Sequence, residues 1–174
     1  MPKVNRAAQL LELYNQGERN FEGSNLDGAD LSGLNLQEIN LSRTSLRKAD
    51  LTGTDLSKAL LFQADLSTAI LNRVELSQAN LTGANLSRSL ISGGILKKTI
   101  LLKASLNGAI LIGANLTQAR LRQADLSDTN LSGANLLEAV ITEAKFTQAK
   151  YSVNTSFPLA FDPIMAEMQI QESK

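Results

Sequence analysis

The sequence predicts a β-solenoid, a chain wound on itself from short units that bury their apolar side only by stacking. Three observations carry this. An apolar residue returns at every fifth position from Phe21 to Tyr151 without a slip, 27 times in all, and 22 of these residues are Leu. Two residues before each stands a second, small column, Ala at 16 of the 26 positions from Ser24 to Ala149. A period of five matches neither the ~3.6 of an α-helix nor the ~2 of a strand, so neither element alone accounts for it.

The parts of the unit follow from that spacing. If Leu and the small residue before it both point inward, strand alternation turns the residue between them outward. That outward place holds Asn20, Asn25, Asp30, Asn35, Asn40, Asp50, Asp55 and Asp65, among others. The next inward side chain comes three residues after each Leu, so the chain must turn there. Gly fills the second place after Leu at 23, 28, 33, 53, 83, 93, 108, 113 and 133, as a type II turn with positive φ favours. Lys48, Arg73 and Gln118 at the same place suggest a second turn type on other faces.

The best-formed units read Ala84-Asn85-Leu86-Ser87-Arg88, Ala114-Asn115-Leu116-Thr117-Gln118 and Ala134-Asn135-Leu136. This Ala-(Asp/Asn)-Leu-x-x pattern resembles the pentapeptide repeat proteins over residues 20–153, and the Leu-Leu-Glu-Leu-Tyr-Asn run before it resembles cyanobacterial members. The resemblance implies a right-handed quadrilateral β-helix, four units per coil and six to seven coils, with short helical caps. Some members of that family mimic B-form DNA through acidic faces and bind type II topoisomerases.

The chain divides into a capping helix over 1–18, the repeat over 19–153 and a C-terminal cap over 154–174. Open solenoid ends expose unpaired strand edges and need covers. At the start, Val4, Ala7, Ala8, Leu11 and Tyr14 fall on one helical face, Asn5 is placed to N-cap and Gly17 to close the helix. The oversized inward residues Leu34 and Ile39 lie in the first coil, where a cap would rest. At the far end Ser156 breaks the register. Asp162 and Pro163 then suit the start of a short helix, with Ile164, Met165 and Met168 facing the last coil.

Composition narrows the function. The 174 residues suit one domain and contain no Cys and no His, which removes thiol chemistry and the commonest general base and metal ligand. No enzyme, cofactor or metal site is expected. A hexapeptide-repeat acyltransferase has a period of six and uses His; neither is present. Stacked carboxylates, Asp30 with Asp50 and Asp55 with Glu75, are read as turn residues rather than as a cation or acid–base site. An ice-binding face is interrupted by Asn72 and Ile112. Lys+Arg and Asp+Glu are both 17, and residues 20–153 hold 12 acidic and 13 basic side chains, too balanced for DNA mimicry. Nucleic acid and membrane are not expected as partners. The opening residues have charges within their apolar stretch, and the expected location is the cytoplasm.

Two irregularities remain. No Asp or Glu occurs between Glu75 and Asp125, where Arg88, Lys97, Lys98, Lys103, Arg120 and Arg122 stand. The outward place becomes aliphatic at Leu60, Ile70, Leu90, Ile95, Ile100, Ile110 and Val140. Leu60 and Phe62, then Ile100 and Leu102, mark one face. Ile70, Leu90 and Ile110 are twenty residues apart, with Ile112 beside them, and form a candidate interface for an unidentified protein or a second copy of the chain. The functional expectation is a non-enzymatic rigid scaffold presenting flat faces, with topoisomerase binding by DNA mimicry as the alternative.

Overall fold

The computed structural model describes residues 6–171. From Asn20 onward the chain passes over itself every twenty residues. Asn20 bridges Asn40 in parallel, Asn25 bridges Ser45, Asp30 bridges Asp50, Asn35 bridges Asp55, and the four series continue along the rod. Four pentapeptides thus complete a coil. Its four faces, numbered from these starting residues, are each crossed seven times between Asn20 and Ser156.

A five-residue unit has five backbone N–H groups to satisfy. In the unit centred on Leu86, the Leu86 and Arg88 N–H groups donate to Ser105 O and Asn107 O in the next coil, at 2.7 and 2.9 Å. Asn85 N–H donates to Ala64 O in the previous coil at 2.9 Å, and Ser89 N–H closes the turn on Leu86 O at 3.1 Å. The fifth, Ser87 N–H, donates to the Asn85 side chain, Oδ1, at 3.1 Å. The outward Asn or Asp therefore accepts the one amide that the coils leave over.

Inside, every Leu from Leu26 to Leu136 in the five-residue column is fully buried. Each contributes roughly 1.5–3 kcal/mol. The small column also holds hydroxyls, and these are paired: Thr44, Thr54 and Thr99 donate to Phe21 O, Leu31 O and Leu76 O at 3.2, 2.8 and 2.8 Å. The one Gly in that column, Gly94, follows Ile91, the only β-branched member of the Leu column before Ile141. A Cβ on Gly94 would stand 2.8 Å from Ile91 Cγ2, so the branch and the missing methyl belong together.

The second turn type does not occur. Lys48, Arg73 and Gln118 have φ of 58°, 55° and 61°, the same left-handed region as Gly28 at 65° and Gly53 at 65°. Units stacked in one register must turn alike. The left-handed conformation costs an L-residue roughly 1–2 kcal/mol, and the two hydrogen bonds that flank each corner offset it. The non-Gly corner residues are nearly all long and unbranched, which suits that region.

The first cap is helix α1, Ala7–Asn15. It ends in a Schellman motif, Gly17 N–H donating to Tyr14 O at 3.0 Å and Glu18 N–H to Leu13 O at 3.0 Å, with Gly17 at φ 98°. Its buried face differs from the expected one. Leu10 is fully buried, Ala7, Leu13 and Tyr14 pack beside it, and Ala8 is exposed. Tyr14 anchors this rotation by donating from Oη to Gln37 O at 3.0 Å, on the first coil between Leu34 and Ile39. Arg6 occupies the N-cap without a side-chain bond, while Val4 and Asn5 lie outside the described residues.

At the other end the register slips by one residue, because Asn135 bridges Ser156. The turn closed by Thr155 N–H on Ser152 O at 2.9 Å absorbs the extra residue. Asp162 accepts from the Ile164 and Met165 N–H groups at 2.8 and 3.3 Å, as a cap does. The short helix, however, is absent: residues 163–167 make one turn, and strand β2, Gln169–Ile170, pairs in parallel with strand β1, Lys150–Tyr151. Strand pairing needs extended backbone, so the tail continues the wall. Met168 is buried as expected, but Ile164 and Met165 are 75% and 82% exposed and do not face the coil.

Candidate functional site

The predicted stripe is assembled on the third face. Asp50, Ile70, Leu90, Ile110, Asn130 and Lys150 bridge one another in that order, so three aliphatics occupy successive coils between polar neighbours. Ile70, Leu90 and Ile110 are half-buried against one another's coils, and Ile112 beside them is 44% exposed. The corner that follows carries Gly93, Gly113 and Gly133. Gly133 stacks on Gly113, and a Cβ on Gly133 would lie in ordinary contact, 3.9 Å from Gly113 N. Arg73 stands at this corner in the Ile70 coil, and from Gly93 to Gly133 the corner carries no side chain.

Replacing Asn or Asp by an aliphatic has a second effect. The N–H groups of Asn72 and Ile112 lose the acceptor that other units supply, and neither has another among the described residues. Ser92 N–H is rescued by Asn72 Oδ1 from the previous coil at 3.1 Å. The stripe is thus an apolar surface with free backbone donors beside it.

The stacked carboxylates are in turn service. Asp30 and Asp50 bridge, as do Asp55 and Glu75. Asp30 accepts from Ser32 N–H and Oγ at 3.0 and 2.7 Å, Asp50 from Thr52 N–H at 2.9 Å, Asp55 from Ser57 N–H at 2.9 Å and Glu75 from Ser77 N–H at 2.7 Å. The Ser32 bonds hold Asp30 below the usual carboxylate range. Burial pushes Asp55 up, but bonds from Ser57 and Gln37 outweigh it and the net shift is downward. Groups held ionised in this way are poor proton donors near neutrality. Among the described residues no cluster of three or more Asp or Glu could hold a metal ion.

The structure adds one juxtaposition that the sequence reading passed over. Ile100, Arg120 and Val140 stack on the first face, so the basic stretch and the aliphatic one meet there. Their twenty-residue spacing is the signal that could have revealed it.

These coils can be compared with known proteins. Residues 24–61, 59–97, 96–128 and 119–150 match the family of pentapeptide repeats, in 8 copies. The chain is a pentapeptide repeat protein. Among solved structures it is similar to HetL from the cyanobacterium Nostoc sp. strain PCC 7120, a pentapeptide repeat protein involved in heterocyst differentiation regulation. The identity is 26%, the TM-score 0.64, and the match covers 91% of this chain and 92% of that one. A second pentapeptide repeat protein from Nostoc PCC 7120 is 27% identical over 98% of this chain and 100% of its own, with a TM-score of 0.37. QnrB1, a plasmid-mediated fluoroquinolone resistance protein, is 18% identical over 89% of this chain and 84% of its own, with a TM-score of 0.57. No curated protein matches the chain significantly. Among the described residues no helix is long and apolar enough to cross a membrane.

Proposed function

We propose that this pentapeptide repeat protein is a non-enzymatic rigid rod, a right-handed quadrilateral β-helix acting in the cytoplasm, whose third face docks on a protein. The observation that carries the reading is the run Ile70, Leu90 and Ile110 in three successive coils, with Ile112 exposed beside it and glycine at the corners that follow Leu90 and Ile110. Single surface aliphatics need no explanation; a contiguous patch with a polar rim has the anatomy of an interface centre. The likeness to HetL, a regulatory protein, supports binding rather than turnover. The partner is another protein or a second copy related by a two-fold axis. DNA mimicry has less support, because Arg88, Lys97, Lys98, Lys103, Arg120 and Arg122 occupy the middle of the rod, where no carboxylate intervenes.

Light scattering over a concentration series, with recovery of bound proteins from native lysate, tests this reading on wild type and on Leu90→Lys with Ile110→Lys. Loss of self-association, or of a recovered protein, in the variant is expected. If both chains are monomeric throughout and recover the same proteins, the stripe is a ladder within the wall and no more.

A further inference from the structure

The first face carries a different surface, with charge. Ile100, Arg120 and Val140 take its outward place in three successive coils, and none is Asn or Asp. Where Asn or Asp stands there, its oxygen accepts the N–H two residues on, as Asn80 does for Thr82 and Asp125 for Ser127, both at 3.0 Å. Leu102, Arg122 and Thr142 hold that donor position here, and their N–H groups have no acceptor among the described residues. An amide that elsewhere meets an outward side chain points out of the wall. Three such amides therefore form a column at the coil spacing of about 4.8 Å.

The same residues line a groove of about 320 Å³, formed by Leu102, Arg120, Arg122, Val140 and Thr142. Its floor is aliphatic, with Val140 49% exposed. The Arg120 guanidinium has no hydrogen bond or ion pair among the described residues, and Arg122 reaches only Glu143, at 3.3 Å. Lys98 and Lys103 stand at the two corners of the Ile100 crossing. The nearest carboxylates by register, Glu138 and Glu143, already accept from Gln118 and from Gln123 and Arg122. Outward backbone donors in a column, joined by guanidinium groups, are a donor set for carboxylates.

We infer that this groove binds an acidic peptide segment. Its carboxylates take the place of the missing Asn and Asp oxygens on the Leu102, Arg122 and Thr142 amides and meet Arg120. An aliphatic side chain of the peptide covers Leu102 and Val140. No aromatic ring lines the groove for base stacking. The arginines lie between aliphatics, with Ile100 and Leu102 in the coil before them and Val140 in the coil after, an interleaving that suits a peptide of alternating side chains better than a bilayer.

The test is fluorescence polarisation with the full chain and a labelled peptide of alternating glutamate and leucine. The comparison probes are its glutamine–leucine and glutamate–serine counterparts, phosphatidylserine vesicles and a thymidine oligonucleotide. Wild type is expected to prefer the glutamate–leucine peptide, with affinity falling as salt rises. Arg120→Asn and Val140→Asn each supply an internal acceptor for the stranded amide, so both should stay folded by circular dichroism and bind about tenfold more weakly or worse. Leu90→Lys on the third face should bind as wild type does, which separates this proposal from the interface proposed there. Equal binding of the peptide by wild type and Arg120→Asn, no binding by wild type, or a preference for vesicles or oligonucleotide would each overturn it.

Discussion

The coils before Leu60 and those after it share one backbone but have different walls. From Asn20 to Asp55 every outward residue is Asn, Asp or Ser, and the corners are tied across coils: Glu22 to Arg43 at 2.6 Å, Asp27 to Arg47 at 2.5 Å and Glu38 to Lys58 at 3.2 Å. From Leu60 to Val140 seven outward residues are aliphatic, and the described residues add a single ion pair, Arg122 to Glu143. From Leu26 to Leu131 the burial of the inward column and the coil-to-coil bonds do not change. The inner columns therefore hold the fold, and the wall is free to vary. Its first part satisfies its own polar groups, whereas its second leaves apolar surface and backbone donors open.

The comparison breaks first if the interior is not what holds both parts. Leu86→Ala leaves a cavity in a fully buried column and is expected to cost about 2–5 kcal/mol in denaturant unfolding. Ala114→Leu overfills the small column and is expected to cost about 1–3 kcal/mol or more, since the coil has no slack. Gly94→Ala should cost about 1–3 kcal/mol for the same reason, and Ile91→Leu in the same chain should recover most of it by removing the Cγ2 that the new methyl meets. An additive double variant would refute that coupling.

The self-satisfied part should also be the acid-sensitive one. Arg47 donates to Asp27 through both Nε and a terminal nitrogen, Ser45 adds a further bond, and the Asp27 pKa is lowered. A carboxyl depressed in the folded state contributes stability above its unfolded pKa of about 3.9 and loses it as pH falls through the folded value. Acid titration of stability below about pH 4 should therefore show a component that Asp27→Asn abolishes. The smallest effect is expected at Gln118→Lys, within about 0.5 kcal/mol. The corner keeps an unbranched residue at φ 61°, and the ammonium still reaches Glu138, which now accepts from Gln118. A loss there as large as at Ala114 would reverse the assignment of inside and outside.

The inward columns and the slip at Ser156 were legible in the sequence, because side-chain size and spacing alone determine them, whereas the twenty-residue stacking of Ile70, Leu90 and Ile110 followed from the four-unit coil that the family resemblance implies. The single turn type was not. Gly and Lys differ in intrinsic preference, but the coil imposes one φ on both. The helix face was misread because nine residues with Ala at both 7 and 8 leave the rotation open, and the Tyr14–Gln37 bond sets it. The groove at Arg120 needed knowledge of which amide each outward Asn serves; a missing Asn shows its consequence only once that bond is known.

The most direct test of the divided wall is the unfolding free energy of Leu90→Asn with Ile110→Asn, measured in urea beside wild type. Both substitutions restore the residue type that the first coils use, and Ile110→Asn offers an acceptor to the Ile112 amide, while Ser92 N–H already donates to Asn72. If the stripe serves a partner, stability should stay within about 1 kcal/mol of wild type, since the one regained hydrogen bond, to the Ile112 amide, contributes about 1 kcal/mol and offsets lost side-chain contacts of about that size. A loss beyond about 2 kcal/mol, more than those ladder contacts amount to by themselves, would mean that the aliphatics hold the rod together and that the two walls do not differ in purpose.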